Sequence, residues 1–204
     1  LGAILGLASG NIVSQPEGTP THRAFKTIIR AAERGGKMVK GLLTFARQSP
    51  TEIHELDVNA ILLEEVRLLE RTTLSKVYLK TEFASDLRMM RGDASSLSHA
   101  FMNLCVNAVD AMPGSGTLTL QTKNWGQDWI EVVVQDTGIG MTPEILEKAM
   151  DPFFTTKEVG KGTGLGLSMV YQAVKLHQGE IDIQSAVGQG TRVAMRFPAS
   201  LDSA

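Results

Sequence analysis

The residues best suited to chemistry lie between Asp136 and Ser168, in two glycine clusters: Asp136-Thr137-Gly138-Ile139-Gly140, then Gly160-Lys161-Gly162-Thr163-Gly164-Leu165-Gly166-Leu167-Ser168. Glycine lets a backbone approach a ligand closely and take positive φ, and successive peptide N–H groups in such a loop form a concavity suited to phosphate oxygens. The second cluster runs into Leu165, Met169, Ala173 and Leu176 at helical spacing, so it opens a helix, and a helix N-terminus attracts anions. Asp136 follows the apolar run Trp129 to Gln135, which reads as a buried strand; a carboxylate there accepts a hydrogen bond from an amino group inside a pocket. A lone glycine cluster is commonly just a turn. Two, with an aspartate at the first, make chance a poorer explanation.

Three further elements must bring partners to these loops. The segment Ala94 to Met112 reads as a helix capped by Asp93, with Phe101, Leu104, Ala108 and Ala111 on one side and His99, Asn103, Asn107 and Asp110 on the other. Amides are poor mid-helix residues, but two of them at i, i+4 aim carbonyl oxygens at one point, which suits a hard cation such as Mg²⁺ already carried by phosphates. The competing reading is a plain solvated face. The irregular stretch Asp151 to Glu158 holds Phe153-Phe154-Thr155-Thr156-Lys157 and reads as a mobile lid whose Lys157 reaches an anion, with one of the two phenylalanines in the core.

The rest of the chain frames that site. Leu1, Ile4, Leu5, Ala8 and Ile12 fall at helical spacing, Gln15 to Pro20 breaks the pattern, and a second helix starts at Thr19-Pro20 and carries Phe25, Ile28, Ile29, Ala32, Val39, Leu42, Leu43 and Ala46 to about Arg47. Two helices do not enclose their own apolar faces, so this hairpin is expected to pack on another copy or another domain, a four-helix bundle from two chains being the economical answer and packing on the chain's own globular part the alternative. Ser49-Pro50-Thr51 predicts a hinge. Beyond it come short strands at Leu56 to Val58, Val77 to Phe83 and Met89 to Gly92, a helix capped by Asn59 and running to about Leu74, strands from Thr117 to Lys123 and Trp129 to Gln135, and a hairpin of Glu180 to Ser185 with Thr191 to Phe197 through Val187-Gly188-Gln189-Gly190. The predicted domains are residues 1–49 and 53–200.

With 204 residues and 43% hydrophobic content the chain has enough apolar material for a core plus an appendage. A net charge of −2 argues against nucleic acid as a partner. The single Cys105 excludes an intrachain disulfide and a cysteine-based zinc cluster, and its apolar neighbours predict an inert, packed thiol. No run reaches the roughly 20 apolar residues of a membrane span, and the chain opens inside an apolar pattern, as a fragment of a longer protein does.

In order, Asn103-Leu104-x-x-Asn107-Ala108, Asp136-x-Gly138-x-Gly140, Asp151-Pro152-Phe153-Phe154, Gly162-Thr163-Gly164-Leu165-Gly166-Leu167 and Gly188-x-Gly190-Thr191 closely resemble the ATP-binding domain of bacterial sensor histidine kinases. The resemblance covers about residues 53 to 200, and the hairpin before it looks like the family's dimerisation and histidine phosphotransfer domain. It implies an α+β chain: a helical hairpin in a dimeric four-helix bundle, then a Bergerat-type α/β sandwich with a mixed sheet backed by helices. On that model Asp136 contacts the adenine amino group, helped by Thr191 through water. Asn107 with Asn103 orients Mg²⁺; Gly162, Gly164 and Gly166 offer N–H groups to phosphates; Lys157 and Lys161 balance their charge. Gly138, Gly140, Thr155, Thr156, Thr163, Leu165 and Asp110 complete the ATP-contacting set, and Asn103, Asn107 and Lys157 are the residues implied to act in catalysis.

The departures from the family pattern carry information too. Many relatives have a basic residue where Asp110 stands, so the phosphate contact of that helix falls to Lys157. ATPases sharing the fold usually place a glutamate near Asn103 to activate water; Asn103 takes no proton that way, which favours phosphoryl transfer to a side chain over hydrolysis. The family's acceptor histidine, followed by an acidic residue, is absent here: His22, His54, His99 and His177 all lack that setting, and the acceptor is expected upstream of Leu1. The expected protein is a cytoplasmic, homodimeric kinase module using ATP and Mg²⁺ that passes phosphate to a response-regulator receiver domain, with any membrane attachment through segments outside these residues. The alternatives are a nucleotide-binding scaffold without kinase activity and an ATPase of the same fold.

Overall fold

The computed structural model describes residues 1–46, 52–72, 77–158 and 162–200. The predicted hinge at Ser49-Pro50-Thr51 and the predicted ligand Lys161 lie outside them. The chain divides into two compact units, Leu1–Ser49 with Thr155–Thr163, and Pro50–Phe154 with Gly164–Ala204.

The first unit contains α1 (Gly2–Ile12) and α2 (Pro20–Ala46), packed on each other. Thr19 caps α2 by accepting from the His22 N–H at 3.2 Å, and Pro20 is its first residue, where a missing N–H costs nothing. Gly18 supplies the positive φ that the turn needs. Ala8 and Ala32 are buried in the seam, and Leu1 lies against Gly35. The apolar stripe is wider than this seam. Leu1, Ile4, Leu7, Val13 and Ile28 are exposed, Leu7 by 69% and Val13 by 86%.

The second unit is a mixed sheet with helices on one face. After β1 (His54–Leu56) come α3 (Val58–Thr72), β2 (Val77–Phe83), β3 (Met90–Gly92), α4 (Ala94–Asp110), β4 (Gly116–Trp125), β5 (Trp129–Asp136), α5 (Pro143–Lys148), α6 (Gly166–Leu176), β6 (Glu180–Ala186) and β7 (Gly190–Pro198). The strand order is β2-β4-β5-β7-β6, with β2 parallel to β4 and every other pair antiparallel; β1 and β3 make a separate two-stranded ladder. Alternate residues Leu118, Leu120, Ile130, Val132, Val134, Val193, Met195 and Phe197 are buried together with Val58, Leu62 and Leu69 of α3, Phe101 and Leu104 of α4, and Val170 and Val174 of α6. Cys105 is part of this core, and burial pushes its thiol up to about 12, so it is the inert residue its neighbours predict.

The cap of α3 differs from expectation. Asp57, two residues earlier than the predicted Asn59, caps α3 by accepting from the N–H groups of Asn59 at 2.9 Å and Ala60 at 3.4 Å; Asn59 instead donates to the Ala84 carbonyl and accepts from Thr122. Asparagine and aspartate cap about equally well, so the choice falls to Asp57 because Thr122 and Ala84 engage the Asn59 side chain. At the end of α6 it is Gln178 that takes the left-handed conformation, with φ 56°. Gly179 is required for a different reason: a β-carbon there would press on the Arg196 carbonyl.

Candidate functional site

Asp136 is the last residue of β5 and is 5% exposed. Its Oδ1 accepts from the Gly138 N–H at 2.8 Å and from the Thr191 N–H at 3.3 Å, while Oδ2 takes part in neither bond. Burial pushes the carboxyl up from its ordinary value, and the two N–H donors pull it partly back. The side chain is therefore anchored through one oxygen and presents the other as an acceptor.

The glycines around it serve the protein's own backbone. A β-carbon on Gly138 would stand against the Ala111 carbonyl, one on Gly140 would overlap the Ala186 carbonyl, and one on Gly190 would overlap that of Asp136 itself. Gly140 and Gly190 also have φ of 63° and 78°. The first cluster is thus glycine-rich because three segments of main chain cross there, in addition to any ligand. The Ile139 N–H donates to the Ala111 carbonyl at 2.9 Å, which staples this loop to the end of α4.

That staple brings the amide stripe into the site. Asn103 and Asn107 are half-buried, unlike His99 and Asp110, which are exposed, so the stripe is not simply a solvated face. α4 and α6 pack against each other. A β-carbon on Gly166, the first residue of α6, would lie 3.1 Å from Asn107 Nδ2 and 4.0 Å from Asn103 Oδ1. The helix start thus sits over both amides, and only glycine leaves the approach open. α4 and α5 are capped by the side chains of Asp93 and Thr142, whereas α6 has no side-chain cap. Helix N–H groups need acceptors, and an anion is a natural one.

At their other ends the same two helices meet through His177, which follows α6 and is 7% exposed. Its Nε2 accepts from the Asp93 N–H at 2.8 Å, and its Nδ1 lies 2.7 Å from the Ala173 carbonyl, which makes Nδ1 the protonated nitrogen. The ring meets Phe197 edge-on, and Gly92 leaves the space the imidazole occupies.

The lid segment divides. Asp151, Pro152 and Phe153 are exposed and Phe154 is half-buried; Phe153 has a φ of 69° and its N–H donates to the Gly164 carbonyl at 2.8 Å, closing the loop on the second glycine cluster. Thr155, Thr156, Lys157, Gly162 and Thr163 group with the hairpin in the first unit, where a β-carbon on Gly162 would lie 2.7 Å from Thr155 Oγ1. Leu165 is 2% exposed, so its side chain is buried.

No three His, Cys, Asp or Glu side chains converge as a metal site among the described residues. The donor set of two amide oxygens fits Mg²⁺ that arrives with phosphates and keeps most of its shell from them and from water. A cavity of about 280 Å³ is lined by Glu82, Gln121, Thr122, Lys123, Glu131 and Val133, none of them a predicted ligand. The polar geometry at Asp136 and Asn107 outweighs that volume as a guide to the site. Sequence reasoning missed the role of the Ala111 carbonyl, which holds the first glycine loop to the end of α4, and missed Ser185, whose hydroxyl bonds to Met141, Gly190 and Thr191; an isolated serine near a strand end carries no periodic signal.

Comparison with known proteins gives the class that this fold and site define. Residues 92–201, more than half of the chain, match the family described as histidine kinase-, DNA gyrase B-, and HSP90-like ATPase, and the chain belongs to that family. It is similar to the sensor kinase CckA of Brucella abortus (strain 2308), 36% identical over 197 residues that make up 90% of this chain and 21% of that protein. It is also similar to the sensor histidine kinase ZraS of Salmonella typhi, 29% identical over 199 residues, 97% of this chain and 42% of that one. Among solved structures, the histidine kinase ThkA in complex with the response regulator protein TrrA shares the fold with a TM-score of 0.73 at 19% identity, over 99% of this chain and 58% of that one. The chain spans less than half the length of the curated relatives it matches. Among the described residues no helix is long and apolar enough to cross a membrane.

Proposed function

We propose that this chain is the ATP-dependent core of a protein-histidine kinase of a two-component system, with residues 1–49 as the dimerisation hairpin and 53–200 as the catalytic domain. The observation that carries the reading is the placement of the uncapped, glycine-opened start of α6 over Asn107, in a loop system that also anchors Asp136 by one oxygen. Asp136 Oδ2 accepts from the adenine amino group. The N–H groups at Gly164 and Gly166 take phosphate oxygens, with Gly162 and Thr163 as further phosphate ligands and Lys157 and Lys161 balancing the charge. Asn107, with Asn103, holds Mg²⁺ by its amide oxygen. The metal, when bound, offsets the charge that develops on the transferring phosphoryl group.

Catalysis on this reading is positioning and charge stabilisation, since Asn103 is no general base for water. That feature supports phosphoryl transfer over steady hydrolysis. The acceptor is a histidine outside residues 1–204, and the receiver domain of a response regulator takes the phosphoryl group next; the complex of ThkA with TrrA supports that choice of partner. The module works where ATP and the regulator are, in the cytoplasm. The exposed apolar residues of α1 and α2 support a homodimer.

The test is labelling with γ-³²P-ATP and Mg²⁺, on this chain and on the chain extended upstream through its natural sequence. Acid-labile, base-stable label on the longer chain alone supports the reading. Steady phosphate release without labelled protein would replace it with an ATPase, and nucleotide-stabilised folding without label on either chain would replace it with a scaffold.

A further inference from the structure

The Ser185 hydroxyl ties together three stretches of main chain beside Asp136. It accepts from the Met141 N–H at 2.9 Å, lies 2.9 Å from the Gly190 carbonyl oxygen and 2.9 Å from Thr191 Oγ1. A hydroxyl has one hydrogen and two lone pairs. The Gly190 carbonyl has nothing to donate, so the serine hydrogen goes there. The Met141 N–H takes one lone pair, and the remaining contact makes Thr191 the donor into the other. Ser185 is then saturated, and the only hydrogen of the Thr191 hydroxyl is committed to it.

Thr191 consequently meets a ligand or a bridging water with lone pairs alone. Its main-chain N–H is spent on Asp136 Oδ1, so the side-chain groups of Asp136 and Thr191 are both acceptors at this end of the site. Acceptors select an edge that has hydrogens to give.

We propose that Ser185 is a positioning residue for base selection: by fixing the Thr191 hydroxyl as an acceptor, it makes the site prefer a 6-amino purine triphosphate over a 6-oxo one. The inference rests on the ATP reading above. With Ser185→Ala the threonine hydroxyl is free to turn and donate, and a 6-oxo group is tolerated.

Binding of Mg-ATP and Mg-ITP is measured on the wild-type chain, Ser185→Ala, Ser185→Thr, Thr191→Val and the double variant Ser185→Ala/Thr191→Val. Loss of one oriented hydrogen bond predicts ATP weakened by about 3- to 10-fold in Ser185→Ala, with ITP weakened less. Ser185→Thr restores the selectivity, Thr191→Val narrows it as much as Ser185→Ala does, and the double variant adds nothing, because the two groups act as one unit. Equal loss for both nucleotides, or unchanged ATP affinity in a folded Ser185→Ala, overturns the proposal. Should Ser185→Ala fail to fold, full selectivity in Thr191→Val overturns it alone. A wild-type chain that binds neither nucleotide overturns the ATP reading, and this inference with it.

Discussion

Gly190 and Asp136 pass so close that a β-carbon on the glycine would overlap the main-chain carbonyl oxygen of the aspartate. The glycine also has a φ of 78°, and its neighbour Thr191 donates to the Asp136 carboxylate. Gly190→Ala therefore strains the backbone and pushes β7 away from the carboxylate it helps to anchor. The expected result is a loss of about 1 to 3 kcal/mol in stability together with weaker ATP binding, read by thermal unfolding and nucleotide titration. Gly188→Ala, where a β-carbon meets nothing within 4 Å but φ is 75°, should lose stability with less effect on ATP.

Asp136 predicts a pH dependence of binding. Burial, partly offset by the Gly138 and Thr191 N–H groups, holds its folded carboxyl above the ordinary aspartate value. Its ionisation therefore costs the folded state stability above that raised value, and the cost vanishes below the ordinary one. ATP affinity should fall as pH drops through the raised value, because a protonated carboxyl loses acceptor capacity. Asp136→Asn keeps an oxygen for the two N–H donors but turns a donor toward the adenine amino group. A folded protein with weak, pH-flat ATP binding is the expected outcome, measured by titration from neutral to acid pH.

The candidate site residues were more legible than the groups that hold them in place. Asp136, Asn107 and Gly166 stand out because polar or flexible residues interrupt apolar periodicity, and the structure brings Asn107 and Gly166 together. The sheet and its helical backing follow from the apolar run in Trp129–Asp136 and the stripe in Ala94–Asp110. What stayed hidden acts through main chain: the Ala111 carbonyl, the backbone crossings at Gly140 and Gly190, and the hydroxyl of Ser185. Carbonyls belong to every residue, so no side-chain pattern marks the few that matter. The choice of Asp57 over Asn59 as a cap was likewise decided by Thr122 and Ala84, distant partners that claimed the asparagine.

Glu131 predicts an acid-labile fold. It sits in β5 with 1% exposure, Lys123 Nζ 3.0 Å from Oε1, Arg196 Nε 3.0 Å from Oε2 and Arg192 Nη2 3.7 Å away. Burial alone would raise its carboxyl, but Lys123 and Arg196 outweigh that and hold it below the ordinary glutamate value. The contribution is present above the unfolded value and is lost as pH falls through the lower folded one. Glu131→Gln should cost about 1 to 3 kcal/mol, below the cost of a fully buried pair because the cations reach solvent, and should flatten the acid limb of a stability curve measured by urea unfolding.

The hairpin predicts assembly. Ile4 and Leu7 are 50% and 69% exposed in the isolated hairpin, and a second copy gives them an apolar surface to cover. Ile4→Glu/Leu7→Glu should shift the protein toward monomer in sedimentation without changing ATP affinity. An unchanged assembly state would count against the hairpin as a dimer contact.

His177 has one ring nitrogen donating to Ala173 and the other accepting from Asp93. An imidazole attacks a phosphoryl group with a bare lone pair, and here neither nitrogen has one to spare. A chain we read as an instrument for modifying histidine thus holds one of its own in chemical retirement, its nucleophilicity consumed by the clasp between the nucleotide helices.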